Sequence, residues 1–387
     1  MNFVCLGNVC GFIKNYVKPC TKNARKADKT TKMTNLELIA KLAGVSRGSV
    51  DRMLHNRDQV RPETEEKVRA VMQELDFQPN ALGRAFYLSR KKNKIGILVA
   101  FREPDFQKQV MQGVNEGVVY AQQHGVEVLI EYAHPDDTEG YLASLRRLLD
   151  GGVRGLAIRG VLSDEIDRCL REISREQMQI VVYNEDIRDK GLRDCFVGQA
   201  SCRAGACAAC LMEQIAGPGG EMLLVGVDAR HVSSEERLNG FAEYFRKRGT
   251  DVSHVIYGKG SHELTYRQTR DMIAAREHIS GIFVSGAGLS GAAHAVDEQK
   301  LRRALRHAVH AVDDAGLTGR IKVVGFDITE SNMSFLKKGT VQFLIDQGPY
   351  MQGYRSVQLL TEAIFRDTPV ETSFVDTGIQ IKNPYNC

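Results

Sequence analysis

The sequence predicts an all-α helix-turn-helix headpiece followed by an α/β body of two lobes, each a parallel sheet flanked by helices. Three observations carry this expectation. First, charge is divided along the chain. Residues 1–94 hold nineteen Lys/Arg against nine Asp/Glu, whereas the whole chain nets only +4, so the body is acidic. A basic front on an acidic body points to a front that meets a polyanion. Second, residues 33–79 read as three short amphipathic helices. Third, from Ile95 onward short apolar runs alternate with helical stretches, the pattern of parallel strands covered on both faces. A chain of 387 residues has room for two or three such domains. No apolar stretch reaches 18 residues, which excludes a transmembrane helix. Nine Cys in this length are too few for a disulfide scaffold.

Residues 1–32 show no helical or strand period, hold Cys5, Cys10 and Cys20, and end in the basic run Thr21–Lys32. The segment fits a secretory signal poorly: no Lys/Arg precedes its apolar stretch, and it has no A-x-A site. It is expected to be a disordered extension, with Met33 as the physiological start. Thr34-x-x-Glu37 before Leu36, Leu38, Ile39 and Leu42 is a capping box opening an amphipathic helix that stops at Gly44. Ser46 caps a second helix, Arg47 to Leu54, with Val50, Met53 and Leu54 inward. Arg61-Pro62 starts a third, since Pro suits the first helical position; its apolar face reads Val68, Val71, Met72, Leu75. Ala40, Gly44 and Val50 have helix-turn-helix spacing: small where helices touch, Gly at the turn, β-branched in the seam. The second helix exposes Arg47, Ser49 and Arg52, with Asn56 and Arg57 just beyond, side chains able to read base edges or hold phosphates.

The run AGVSRGSVDRMLHNRDQVRPETEEKVRAVMQELDFQPNALGRA resembles the headpiece of the lactose-repressor (LacI/GalR) family over about 55 residues. The resemblance implies roles by position. Arg47 and Gly48 occupy the base-choosing pair at the start of the recognition helix. Ser49 takes the usual Thr position and Arg52 that of the base-reading Arg, while Asp51 replaces the usual Ser. Residues 80–94 then resemble the family's hinge helix and linker. There Asn80 and Ala81 open the helix, and Phe86 stands where a Leu usually wedges into the minor groove. Gly83, where Ala is usual, costs about 1 kcal/mol of helix stability, so a weaker or more DNA-dependent hinge helix is expected.

In the body, 95–387, the strand runs are 95–100, 126–133, 155–159, 180–183, 221–227, 281–285 and 321–326. Two parallel sheets in one chain imply two lobes with a cleft at the carboxyl ends of the strands. Polar residues gather at those ends. Glu103, Asp105 and Phe106 follow the first run; Asn184 and Asp186 follow the fourth. Arg237 lies beyond the run 221–227, Asp327 follows VVGF and Gln347 follows FLID. Carboxylates, amides and one Arg around an aromatic face suit a neutral polyhydroxylated ligand: carboxylates accept hydroxyl protons, Arg bridges oxygens, and Phe stacks on C–H faces. Residues 95–383 also resemble a periplasmic sugar-binding-protein fold, through FVGQASCRAG, EERLNGF, VVGFD and IDQGPYMQGY. That resemblance places Arg237 at a bidentate ligand Arg, Asp327 at a ligand Asp and Gln347 near the lobe crossover. Glu103 stands where many sugar binders have Asn and Asp105 where they have an aromatic, which makes the pocket more acidic than a simple pentose site. About a dozen additional residues near 299–311 read as a lengthened surface helix turn.

Two lookalikes are set aside. Gly286-Ala287-Gly288-Leu289-Ser290-Gly291 fits G-x-G-x-x-G but comes too late to begin a nucleotide half; it is read as a close helix-to-sheet approach. Cys202-x4-Cys207-x2-Cys210, with Cys195 or Cys169, matches part of an iron–sulfur spacing. These Cys alternate with Ala and Gly and are read instead as small buried residues. H-E-x-x-H does not occur, and His294, His307 and His310 form no metal motif. No enzyme, cofactor or metal is expected. The expectation is a cytoplasmic, nucleoid-associated transcriptional regulator that represses from a pseudo-palindromic operator as a homodimer or dimer of dimers. A carbohydrate effector between the lobes controls it, with no membrane partner. A solute-binding protein for sugar uptake is the alternative from another class, which the headpiece disfavours.

Overall fold

The computed structural model describes residues 35–54, 61–74, 93–175, 178–217, 220–249, 252, 254–276, 278–310 and 321–387. The expectations for 1–32, the Thr34 cap, Leu54 and Leu75 side chains, Asn56, Arg57, Asn80, Ala81, Phe86 and the linker lie outside these residues. The chain divides into two compact units, the first ending at Pro79 and the second beginning at Asn80.

The first unit is three helices, α1 (Asn35–Ala43), α2 (Arg47–Leu54) and α3 (Pro62–Glu74). Gly44 takes the left-handed conformation at φ 66° that ends α1. Ser46 starts α2, its Oγ accepting from Ser49 N at 3.1 Å. Ile39, Ala40, Ala43, Val50 and Val68 form the buried centre, with Met53, Val71 and Met72 against it. The inward face of α1 differs from the expectation: Leu38 and Leu42 are exposed. The buried set Ile39, Ala40 and Ala43 follows the i, i+1, i+4 stripe of a helix pressed on two neighbours.

The second unit holds two six-stranded sheets. The first has the order β11-β5-β4-β3-β1-β2, all parallel. Its strands are β1 (Lys94–Val99), β2 (Glu127–Tyr132), β3 (Gly155–Arg159), β4 (Gln179–Tyr183), β5 (Cys195–Gly198) and β11 (Phe374–Asp376). Side chains alternate across it. Ile95, Ile97 and Val99 pack against α4 (Pro104–Gln123) and α12 (Pro349–Arg366), whereas Leu98 faces α5 (Thr138–Asp150) and α6 (Asp164–Arg175). The second sheet runs β12-β10-β9-β8-β6-β7, parallel except where β12 (Gln380–Lys382) pairs antiparallel with β10 (Phe343–Asp346). Its other strands are β6 (Glu221–Gly226), β7 (His254–Tyr257), β8 (Ile279–Val284) and β9 (Lys322–Phe326). Helices α7 (Ser201–Ala216) and α8 (Val232–Arg246) cover one face. The other carries α9 (His262–Ala275), α10 (Leu289–His310) and α11 (Glu330–Lys338). The additional residues near 299–311 extend α10 to 22 residues.

The chain crosses between lobes three times: after β5, after β10, and between β11 and β12. Gln199, on the first crossover, donates from Nε2 to the carbonyl of Asp346 (3.2 Å) and to that of Gly378 (3.0 Å), so one carboxamide binds the other two crossovers. Thr377 Oγ1 donates to the Gln347 carbonyl at 2.7 Å. These bonds fix the hinge about which the lobes meet.

Candidate functional site

The cleft is built from the residues that end β3 and β4 on lobe 1 and β6 and β9 on lobe 2, with Gln347 from the second crossover between them. Asn184 after β4 and Asp327 after β9 both adopt left-handed φ, 66° and 73°. Among non-glycine residues, Asn and Asp tolerate that region best, and here it aims each side chain back toward the cleft. A hydrogen-bonded chain runs across the floor. Arg159 Nε donates to Asn184 Oδ1 (3.2 Å), and Asn184 Nδ2 donates to Gln352 Oε1 (3.0 Å) and Gln347 Oε1 (3.5 Å). Arg237 Nη2 donates to the same Gln347 oxygen at 2.9 Å, and Gln347 Nε2 donates to Asp327 Oδ1 at 2.5 Å.

Arg237 is 3% exposed and lies over the Phe326 ring, 4.0 Å from its centroid. Its Nη1 donates to the Ser285 carbonyl at 2.9 Å, and Nε is buried without a hydrogen-bond partner. Burial lowers the Arg237 pKa, with Asp327 acting against it. Burial also raises that of Asp327, with Arg237 and the bond from Gln347 opposing.

Four of the sequence-predicted ligand residues, Asn184, Arg237, Asp327 and Gln347, are thus brought together. The others are placed differently. Glu103 is exposed at the start of α4 and caps nothing. Asp105 reaches across to lobe 2, where its Oδ2 accepts from Glu330 N at 3.0 Å and caps α11. Phe106 points into the lobe-1 core, 6% exposed, because its place in α4 turns it toward β1. The ring nearer the cleft is the half-buried Phe101, 5.3 Å from Phe106. Asp186 is held by Arg193 on both oxygens, at 2.7 and 2.8 Å, and by the Ile187 amide, so its carboxylate is committed to its own loop.

Sequence reasoning missed Arg159, Glu185, His231 and Ser233. Glu185, 4% exposed, crosses the lobes: its Oε1 accepts from Ser233 N at 3.0 Å and its Oε2 from Ser233 Oγ, with His231 Nδ1 at 3.1 Å. A lobe-1 carboxylate therefore sits in the first turn of α8, where free amides and the helix dipole favour negative charge. Burial works to raise the Glu185 pKa, but His231, Arg159 and the Ser233 bonds outweigh it and hold the carboxyl below its ordinary range. Burial lowers the His231 pKa, with Glu185 acting against it. The signal for Glu185 was its position between Asn184 and Asp186, but nothing in a polar triplet tells which member turns inward.

On the headpiece, α2 presents Arg47, Gly48 and Arg52 outward, with Ser49 half-buried beside Ser46, the two Oγ atoms 2.9 Å apart. Arg47 Nη1 lies 3.2 Å from Glu37 Oε1, an exposed pair worth little in water, and Arg52 Nε donates to the Gly48 carbonyl at 3.2 Å.

Both lookalikes differ in detail from their expected readings. The glycine motif makes a helix-to-helix approach: a Cβ on Gly291 would lie 2.3 Å from the His262 carbonyl at the start of α9. Cys202 is exposed and Cys207 and Cys210 half-buried, because Ala204, Gly205, Ala208 and Ala209 take the buried face of α7. Among the described residues no group of three His, Cys, Asp or Glu is placed to hold a metal ion, and no helix is long and apolar enough to cross a membrane.

Residues 95–366 match the family model of the periplasmic binding protein domain, and residues 35–80 that of the bacterial regulatory proteins of the lacI family. The chain is similar to the catabolite control protein A of Staphylococcus xylosus, 22% identical over 75% of this chain and 81% of that protein. It is also similar to the HTH-type transcriptional repressor PurR of Pectobacterium atrosepticum, 26% identical over 70% of this chain and 77% of that protein. Among solved structures, the arabinose binding protein AraP of Geobacillus stearothermophilus matches with a TM-score of 0.63 at 20% identity, over 76% of this chain and 98% of that one. At that identity the likeness speaks to fold alone.

Proposed function

Because the chain belongs to the family of the periplasmic binding protein domain and carries ahead of it the helix-turn-helix of the lacI-family bacterial regulators, we propose that it is a ligand-controlled transcriptional repressor. The headpiece reads operator DNA through α2, with Arg47, Gly48, Ser49 and Arg52 at the bases and Asn56, Arg57, Asn80, Ala81 and Phe86 completing the contact. The body binds a neutral polyhydroxylated effector, a sugar or sugar derivative, with Asn184, Arg237, Asp327 and Gln347 as its polar contacts and Glu103 at the mouth. The observation that carries the effector reading is the hydrogen-bonded chain from Arg159 to Asp327. It joins side chains of both lobes through one crossover residue, so a ligand bound to it is felt by both lobes at once.

Operator affinity then follows whichever lobe arrangement the effector prefers, and the effector must prefer one by its full effect. The protein works in the cytoplasm, at the nucleoid, as a homodimer or dimer of dimers on a pseudo-palindromic site, since two headpieces read two half-sites. It breaks no bond in its ligand. Anisotropy of labelled operator, titrated with the full chain in the presence and absence of single neutral sugars, tests this reading. At least one sugar is expected to shift the operator affinity by about tenfold or more, the size of a typical allosteric coupling. A protein that binds operator with one affinity whatever sugar is present contradicts it.

A further inference from the structure

Arg159 ends β3, paired in register with Tyr183, the residue before Asn184. It is 7% exposed. Its Nε donates to Asn184 Oδ1 and its Nη1 to the Gly160 carbonyl, both at 3.2 Å, and its guanidinium lies 5.6 Å from the centroid of Phe101. The remaining nitrogen, Nη2, has no hydrogen-bond partner among the described residues. The nearby carboxylate Glu185 does not supply one, because Ser233 and His231 occupy it. Nη2 is not among the buried atoms left without a partner, so it is the accessible edge of an otherwise buried guanidinium, a donor open to whatever enters between the lobes. Arg237 on lobe 2 likewise leaves one nitrogen unbonded, but there it is the buried Nε, while Nη1 and Nη2 are bonded within the protein.

We infer that Arg159 is the lobe-1 residue that selects the effector, by donating from its unbonded guanidinium edge to an oxygen of an uncharged monosaccharide-class ligand. The inference rests on the reading of the body as a sugar-responsive domain. Charge supports it. The buried cations Arg159 and Arg237 face two carboxylates, the buried Glu185 and the half-buried Asp327, so a phosphate or carboxylate ligand adds further negative charge that this set does not match, while hydroxyl and ring oxygens complete the donors without one. Geometry makes it a selecting contact. Two bonds and an aromatic face fix the plane of the guanidinium, so its free edge cannot follow an oxygen that changes position between epimers. A site built to bond one oxygen rejects the ligand that lacks it more strongly than an apolar wall does.

The test uses the full chain and four neutral aldoses, D-arabinose, D-xylose, D-glucose and D-galactose, each titrated singly by calorimetry against wild type, Arg159→Met and Arg159→Lys. Melting temperatures of all three proteins without sugar are recorded alongside. Wild type is expected to prefer one aldose. Arg159→Met lowers affinity for that sugar by roughly 10–100-fold while the others change less, so the preference flattens. Arg159→Lys keeps the charge, and with it the fold if Met at this buried site does not, but it lacks the planar fork and does not restore the preference. Unchanged affinity in the variants overturns the inference, as does an equal loss for every sugar, which is what a purely structural Arg159 would give. Wild type that binds none of the four overturns the sugar reading itself and this inference with it, a result separable from the others because it appears before any variant is made.

Discussion

Arg52 and Arg237 carry the two halves of the account, and each has a separable consequence. Arg52 stands exposed on α2, free of the headpiece core, so Arg52→Ala is expected to leave the fold intact and to remove the proposed contact to bases. Specific operator affinity falls about 10–100-fold while sugar binding is unchanged, as anisotropy and calorimetry on one preparation check. Arg237→Ala does the reverse: effector affinity drops by roughly 100-fold and operator binding persists without a response. Equal damage to both activities in both variants contradicts the division of labour. Glu185 has a consequence in pH. Its folded pKa is depressed, so its stabilisation is full above the unfolded value of about 4.3 and fades as pH falls through the lower folded value. Glu185→Gln melts below wild type at pH 7, and the gap closes in acid; a gap constant from pH 7 to 3 contradicts an ionised Glu185 at the start of α8.

Helix α7 meets α8 at Gly205, where an added Cβ would lie 2.0 Å from the carbonyl of Arg237 itself. Gly205→Ala therefore pushes α8 outward and misplaces the guanidinium, costing about 1–3 kcal/mol of stability and weakening the effector as well. Thermal melts with and without sugar read both effects. Most of the elements on which this depends were legible in the sequence. Continuous apolar runs such as IGILVA and GLAIR read as buried parallel strands because both faces of a parallel sheet are covered, and Pro62 marked the start of α3. Short strands were not legible: CFVG, HVIY and the three-residue β11 and β12 are too brief for any period, and their neighbours in space hold them. At the site, Asn184, Arg237, Asp327 and Gln347 stood out as polar residues after apolar strands or at matched landmarks. Phe106 and Asp186 were misjudged because proximity to a strand end does not say which way a side chain turns. Arg159 was hidden as the last residue of an apolar strand, and Ser233 and His231 because partners from another lobe make their role.

The lobes of the body are joined by three crossovers and one carboxamide that binds two of them, and bridged at Glu185, Asp105 and Gln109, whose Nε2 donates to the Ile328 carbonyl at 2.9 Å. Lobe arrangement is thus set by a handful of polar contacts, each worth about 0.5–1.5 kcal/mol net, which a ligand of ordinary affinity is able to outweigh. Gln199→Ala loosens the hinge, so a smaller energetic difference separates lobe arrangements and the effector-induced change in operator affinity shrinks by several-fold. Anisotropy with and without sugar measures it. An undiminished response in Gln199→Ala removes the hinge from the mechanism.

The central claim is that the headpiece reads sequence and the body answers a ligand in one molecule, and the most direct measurement begins with the DNA. Genomic fragments are selected on the full chain at moderate salt and the bound pool is sequenced. The account predicts one enriched pseudo-palindrome with a central pyrimidine–purine step, lost from the pool when Arg52→Ala replaces wild type. A pool with no shared sequence, whose retention fades uniformly as salt rises, would reduce the headpiece to a non-specific anchor and contradict the account.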